Sequence, residues 1–113
     1  MPYVETKTNV KITKDNELEL KSALADAIAI IPGKTERWLM LSFEDELPMY
    51  FAGSDAPCAM IEVKIFGKMS DRDAEKVTSA ICTSVEKALS ISADRIYVKY
   101  EEAPKWGWNG ANF

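Results

Sequence analysis

The chain has 113 residues, 47% of them hydrophobic and 28% charged, with a formal net charge of −4. That length suits a single domain, residues 1–113, with a core that needs no metal or disulfide staples, and the acidic balance argues against a nucleic-acid partner. No apolar run approaches the roughly 20 residues of a membrane span, no secretory leader opens the chain, and the absence of histidine removes histidine-based triads and most metal sites, so no metal and no cofactor are expected.

The chain opens Met1-Pro2. An initiator methionine before a small residue is commonly removed, which would leave Pro2 as a free secondary amine. Within a chain, proline nitrogen is a non-basic amide; as a terminus it can accept a proton near neutral pH. An apolar surrounding or a neighbouring cation would favour the neutral, basic form. The plainer reading is a residue suited to starting an edge strand.

Residues 2–10 alternate as a strand, with Tyr3, Glu5 and Lys7 on one side and Val4, Thr6 and Thr8 on the other. Lys11 to Asp15 is turn-like, and Asn16 with Glu19 has capping-box spacing. Leu18, Leu20, Leu24, Ala27, Ile28 and Ile31 then form a helical stripe, which Pro32-Gly33 ends. Trp38 to Phe43 is short and apolar and reads as a buried strand. Glu44 to Gly53 reads as a loop or short edge hairpin.

The pattern then repeats. Cys58 to Phe66 is a strand with Ala59, Ile61, Val63 and Ile65 on one side and Met60, Glu62 and Lys64 on the other. Ser70 with Asp73 marks a second helix start, and Ala74, Val77, Ala80, Ile81, Val85, Ala88 and Leu89 give its stripe. Arg95 to Tyr100 is another strand. The two cysteines, Cys58 and Cys82, fall in apolar patterns and read as buried thiols.

The result is an α+β fold: tandem βαβ units giving a four-stranded mixed sheet with two helices on one face. Trp38, Met40, Ile61, Val63 and Tyr97 cannot all lie against two helices, so the uncovered face is expected to carry apolar residues and to associate. In the tail, Asn109-Gly110 signals a tight hairpin turn. Trp106, Trp108 and Phe113 must dock on their own domain or on a neighbour.

Together the segments Met1-Pro2, Thr8-Asn9-Val10, Gly33-Lys34, Phe51 to Cys58, Gly67-Lys68, Ala93 to Val98 and Gly107 to Gly110 resemble the macrophage migration inhibitory factor family of the tautomerase superfamily. The resemblance runs over nearly the whole chain, and it rests on joint order and spacing rather than on any one motif. It implies a homotrimer whose sheets form a central barrel. It also implies keto–enol tautomerase activity on phenylpyruvate-like 2-oxo acids and dopachrome derivatives, with the proline amine as base in a pocket between subunits. Lys34 matches the family's pocket lysine, which would hold an enolate or carboxylate oxygen and keep the amine neutral; on spacing alone it is a solvated lysine at a helix C-terminus.

Phe66 matches a pocket position more often occupied by isoleucine. Lys99 stands where asparagine is frequent and where the neighbouring subunit contributes; on spacing alone it is an exposed strand lysine. Tyr97 matches an interface tyrosine, Trp38 replaces a common tyrosine, and Trp108 matches an aromatic of the pocket rim. These rings could stack on an aryl substrate, and each is otherwise ordinary packing. Cys58-Ala59-Met60-Ile61 lacks the second cysteine of the Cys-x-x-Cys pair of some members, so their thiol–disulfide activity is not carried over. The family also contains cytokine-like members exported without a signal peptide. The expected location is therefore the cytoplasm, with signal-less export as the family's other mode, and the alternative function is recognition of a protein receptor.

Overall fold

The computed structural model describes residues 1–113. In chain order its principal elements are β1 (Pro2–Thr8), α1 (Lys14–Ile28), β2 (Met40–Glu44), β3 (Ala59–Phe66), α2 (Asp71–Leu89), β4 (Ile96–Ala103), β5 (Gly107–Trp108) and β6 (Ala111–Asn112). Four strands form one sheet in the order β2-β1-β3-β4. β1 runs parallel to β2 and antiparallel to β3, and β3 runs parallel to β4. Each parallel pair is joined through a helix, as a parallel connection requires. The mixed sheet and two helices expected from the sequence are therefore present.

The two-residue alternation decides the faces. Pro2, Val4, Thr6 and Thr8 of β1 are buried, as are Ala59, Ile61, Val63 and Ile65 of β3. Val4 and the four β3 residues pack with Leu20, Leu24, Ala27 and Ile28 of α1 and Val77, Ile81, Val85 and Leu89 of α2 in one cluster. Each fully buried aliphatic side chain there stabilises the fold by about 1.5–3 kcal/mol, so the sheet cannot slip by one residue without exposing the whole set.

The other face carries Met40 and Tyr97 as expected, but not Ile61 and Val63. Ile61 and Val63 lie against the helices and are fully buried. Paired register rows place Met40, Tyr3, Lys64 and Glu101 side by side on the uncovered side, followed by Ser42, Glu5, Glu62 and Lys99, then Glu44, Lys7, Met60 and Tyr97. This surface is a charged grid with apolar residues at its edges. Lys64 Nζ lies 2.6 Å from Glu5 Oε2, and Lys99 reaches Glu101 at 3.3 Å and Glu62 at 3.8 Å. The Lys64 hydrogen bond holds the Glu5 carboxyl below its ordinary range, and the same bond holds the Lys64 ammonium above its own.

Several boundaries also differ. β1 stops at Thr8, because the Thr8 hydroxyl accepts from Val10 N (3.2 Å) and bends the chain. α1 begins two residues before Asn16: its cap is Thr13, whose side chain accepts from Asn16 N at 3.2 Å. Leu18 is 51% exposed, since it lies two positions from Leu20 and points roughly 200° away around the helix. The expected Ser70 start of α2 holds, with Ser70 Oγ accepting from Asp73 N at 3.1 Å.

Trp38 to Phe43 is not a buried strand. Glu36–Trp38 is a short 3-10 turn, and β2 is the sheet edge with Met40 66% exposed. Cys58 is buried and Cys82 half-buried, both free. Burial, then the neighbouring Glu86, raises the Cys82 thiol pKa, which keeps it a weakly reactive thiol at neutral pH.

The long loop before β3 is held by two side chains. Asn9 Nδ2 donates to Asp55 O and Ala56 O, and Asn9 Oδ1 accepts from Cys58 N at 2.9 Å. The Arg95 guanidinium donates to the carbonyls of Phe51, Ser54, Ala56 and Pro57 at 2.9–3.2 Å. Planar, forked donors suit such a carbonyl ring. Removing the fork by Arg95→Ala is expected to lower unfolding stability by about 2 kcal/mol in urea titrations. An unchanged midpoint would show that the loop is held by Asn9 and its own turns.

Candidate active site at the start of β1

β1 is a central strand, so its first residue lies inside the sheet. Pro2 is buried opposite Ile65, and one residue further on Phe66 N donates to Met1 O at 3.1 Å. The chain terminus is thus pinned beside the C-terminal end of β3. Lys34 reaches the same point from the other side. After α1 the chain turns through Gly33, whose φ of +79° is a left-handed value that glycine takes without strain. Lys34 N then donates to Ile31 O. From there the half-buried Lys34 side chain extends to the end of the sheet, where Nζ donates to Phe66 O at 2.9 Å.

The terminal amine, on Met1 in this structure, titrates below its ordinary value of 8.0. Burial is the largest cause, followed by the positive charge of Lys34 and then its hydrogen bond. Both burial and a like charge disfavour the ammonium form. A terminal amine at this place is therefore biased towards the neutral form that can accept a proton.

Beside the terminus is a cavity of about 360 Å³ walled by segments 1–3, 37–40 and 106–108. Its walls are aromatic. The tail forms the expected hairpin: β5 and β6 pair through Asn109 (φ 53°) and Gly110 (φ 81°), the two positive values a two-residue primed turn needs. The hairpin docks on its own chain. Trp108 meets Trp38 edge-on at 5.1 Å, and Phe113 stacks on Trp108 at 5.8 Å and lies 5.9 Å from Phe66. Such pairs add about 0.5–1.5 kcal/mol beyond area burial, enough to order a two-residue hairpin that would not persist alone. A larger cleft of about 620 Å³ lies between α1 and β2, but it contains neither the terminus nor a tryptophan.

The structure brings together Pro2, Lys34, Phe66, Trp38 and Trp108 from the residues singled out in the sequence. It does not bring Tyr97 and Lys99 to them. Tyr97 is opposite Met60 and Lys99 opposite Glu62, whereas Pro2 is opposite Ile65. Five residues along β3 is about 17 Å. Tyr97 packs instead on Phe51 at 4.8 Å and is 60% exposed. Arg37, absent from the sequence reading, lines the cavity with its guanidinium 5.0 Å over the Trp38 ring. Its only sequence signal is adjacency to Trp38.

The fold and this arrangement define an α+β protein whose N-terminal amine, on a half-buried residue, is set against a lysine. The profile of the macrophage migration inhibitory factor (MIF) family matches residues 1–113, and the chain belongs to that family. Macrophage migration inhibitory factor of Meriones unguiculatus is 31% identical, covering 100% of this chain and 99% of that protein. A Gallus gallus protein named D-dopachrome decarboxylase is 29% identical over 94% of this chain and 90% of its own length. Among solved structures, MIF2 of Leishmania major superposes with a TM-score of 0.93 at 33% identity, covering 100% of this chain and 97% of that one.

Lys34→Met removes two of the three causes that depress the amine, leaving burial. Labelling of the terminal amine by acetic anhydride should then lose rate at neutral pH, with its pH dependence displaced upward. An unmoved profile would show that burial alone sets the basicity of the terminus.

Proposed function

We propose that the chain is a keto–enol tautomerase of phenylpyruvate-type 2-oxo acids, acting through the Pro2 nitrogen after removal of Met1. The observation that carries this reading is the placement of Lys34, whose Nζ donates to Phe66 O while Phe66 N holds Met1 O, which sets a cation beside the terminal amine and biases it to the neutral form. Cleavage after Met1 moves the free amine onto Pro2, whose ring is buried. Burial and the Lys34 charge would act there in the same sense.

In the forward step the neutral proline nitrogen accepts a proton from the carbon beside the substrate carbonyl. The electron pair of that C–H bond forms the C=C bond, and the carbonyl π pair moves onto oxygen. The prolinium then returns the proton to that oxygen, so the reaction is an isomerisation with nothing consumed. One amine of suitable pKa serves both halves. Lys34 donates to the developing enolate oxygen, where a fixed cation stabilises charge that appears only in the transition state. Trp38 and Trp108 wall the aryl group, with Phe66 behind them through Phe113.

Assembly belongs to the same proposal. Tyr97 and Lys99 lie far from their own Pro2, so they join a site only from a neighbouring copy in a homotrimer. Met40 and Tyr97, on the uncovered side of the sheet, and Trp108 beside the cavity expose more than half their surface and are suited to cover by such a neighbour. Sedimentation at micromolar concentration is expected to give three times the chain mass; a monomer would remove Tyr97 and Lys99 from the mechanism.

Pro2→Gly replaces a ring-constrained secondary amine by a primary one. It should lower kcat/KM for phenylpyruvate by about 10²-fold, and protein shown by intact mass to retain Met1 should be at least as impaired. In the active form kcat/KM should rise with pH and level off early, because the base is neutral below the pH at which an ordinary terminal amine deprotonates. If both altered termini turn over like the parent, proline is not the base.

A further inference from the structure

The cavity has a charge that the chain as a whole lacks. The protein carries 18 acidic residues against 14 basic ones, yet no acidic residue lines this cavity, and Arg37 does. The neighbouring Glu36 is turned away to Lys21, at 3.4 Å. Arg37 is exposed and forms no ion pair within the chain; its guanidinium rests over the Trp38 face at 5.0 Å. Lys34, by contrast, is committed, with its ammonium on Phe66 O and facing the terminal amine. The two cations are therefore in different states: one engaged on Phe66 O beside the chain terminus, the other unpaired at an aromatic wall of the cavity.

We propose that Arg37 is the specificity-determining residue that captures the carboxylate of an aryl acid entering this cavity, leaving Lys34 to the terminal amine and the reacting oxygen. The proposal rests on the cavity being the substrate site. A guanidinium presents parallel N–H donors that match a carboxylate in two bonds. Stacking on Trp38 holds the guanidinium plane beside the space where an aryl ring would pack, so acid and ring are read together. A cationic or neutral ligand meets the same walls without that anchor, and a cation meets repulsion from Arg37, Lys34 and the amine.

All three tryptophans of the chain, Trp38, Trp106 and Trp108, line this cavity. Intrinsic fluorescence therefore reports on it directly. The probes are phenylacetate, a non-reacting aryl acid, and phenylacetamide, its neutral counterpart. Parent protein should bind phenylacetate more tightly than the amide. Arg37→Ala should weaken phenylacetate binding by 10-fold or more while leaving the amide within 2-fold, and Arg37→Lys should recover part of the loss. Equal weakening of both probes would mean that Arg37 only props up Trp38. An unchanged affinity for phenylacetate in Arg37→Ala would place the acid elsewhere. Either result overturns the assignment. Phenylpyruvate turnover is measured separately on the same proteins. A parent without turnover but with Arg37-dependent acid binding defeats the catalytic reading and keeps this one. An active parent whose KM for phenylpyruvate is unmoved by Arg37→Ala does the reverse.

Discussion

The hydrogen bond from Lys34 Nζ to Phe66 O ties three distant parts of the chain to one point. It joins the turn after α1 to the end of β3, beside which Met1 O accepts from Phe66 N. The electrostatics of the terminus follow from that meeting. The lysine is held by a carbonyl rather than a carboxylate, so its charge remains uncompensated and acts on the terminal amine. A carboxylate partner would cancel the field and restore an ordinary amine.

The sheet supplies the rigidity this needs. The terminus of a central strand is bounded by β2 and β3, and Pro2 sits in register with the buried row that packs on both helices. The terminus is thereby anchored by the hydrophobic core itself, unlike the frayed ends of most chains. The opposite face has another job. Its ion pairs are partly solvated and each is worth little, about 0–1 kcal/mol, so the core provides the stability.

Much of this was legible in the residues. The strict alternation of β1 and β3 gave their faces, and the stripe Val77, Ile81, Val85, Leu89 with Ser70 before it gave α2 and its start. The α1 start was misjudged because Asn16 and Glu19 have the spacing of a cap, while the side chain that accepts the bond is Thr13, a choice set by where the chain leaves β1. β2 was misjudged because apolar composition does not separate a buried strand from an edge strand beside an aromatic cavity. Pro2 was legible from the chemistry of Met1-Pro2 and Lys34 from family resemblance, and the structure brings Lys34 to the chain terminus. The Asn9 and Arg95 motifs, also part of that resemblance, prove to fasten a loop. Arg37 was hidden because its placement depends on a single 3-10 turn.

The surroundings of the chain terminus at the end of β1 make it an unusually weak base. This weakness is tested most directly by titrating the ¹⁵N resonance of Pro2 in protein whose intact mass shows Met1 removed. The account predicts a midpoint clearly below that of the same nitrogen in an unfolded peptide of identical sequence. A midpoint equal to or above the peptide's would contradict it.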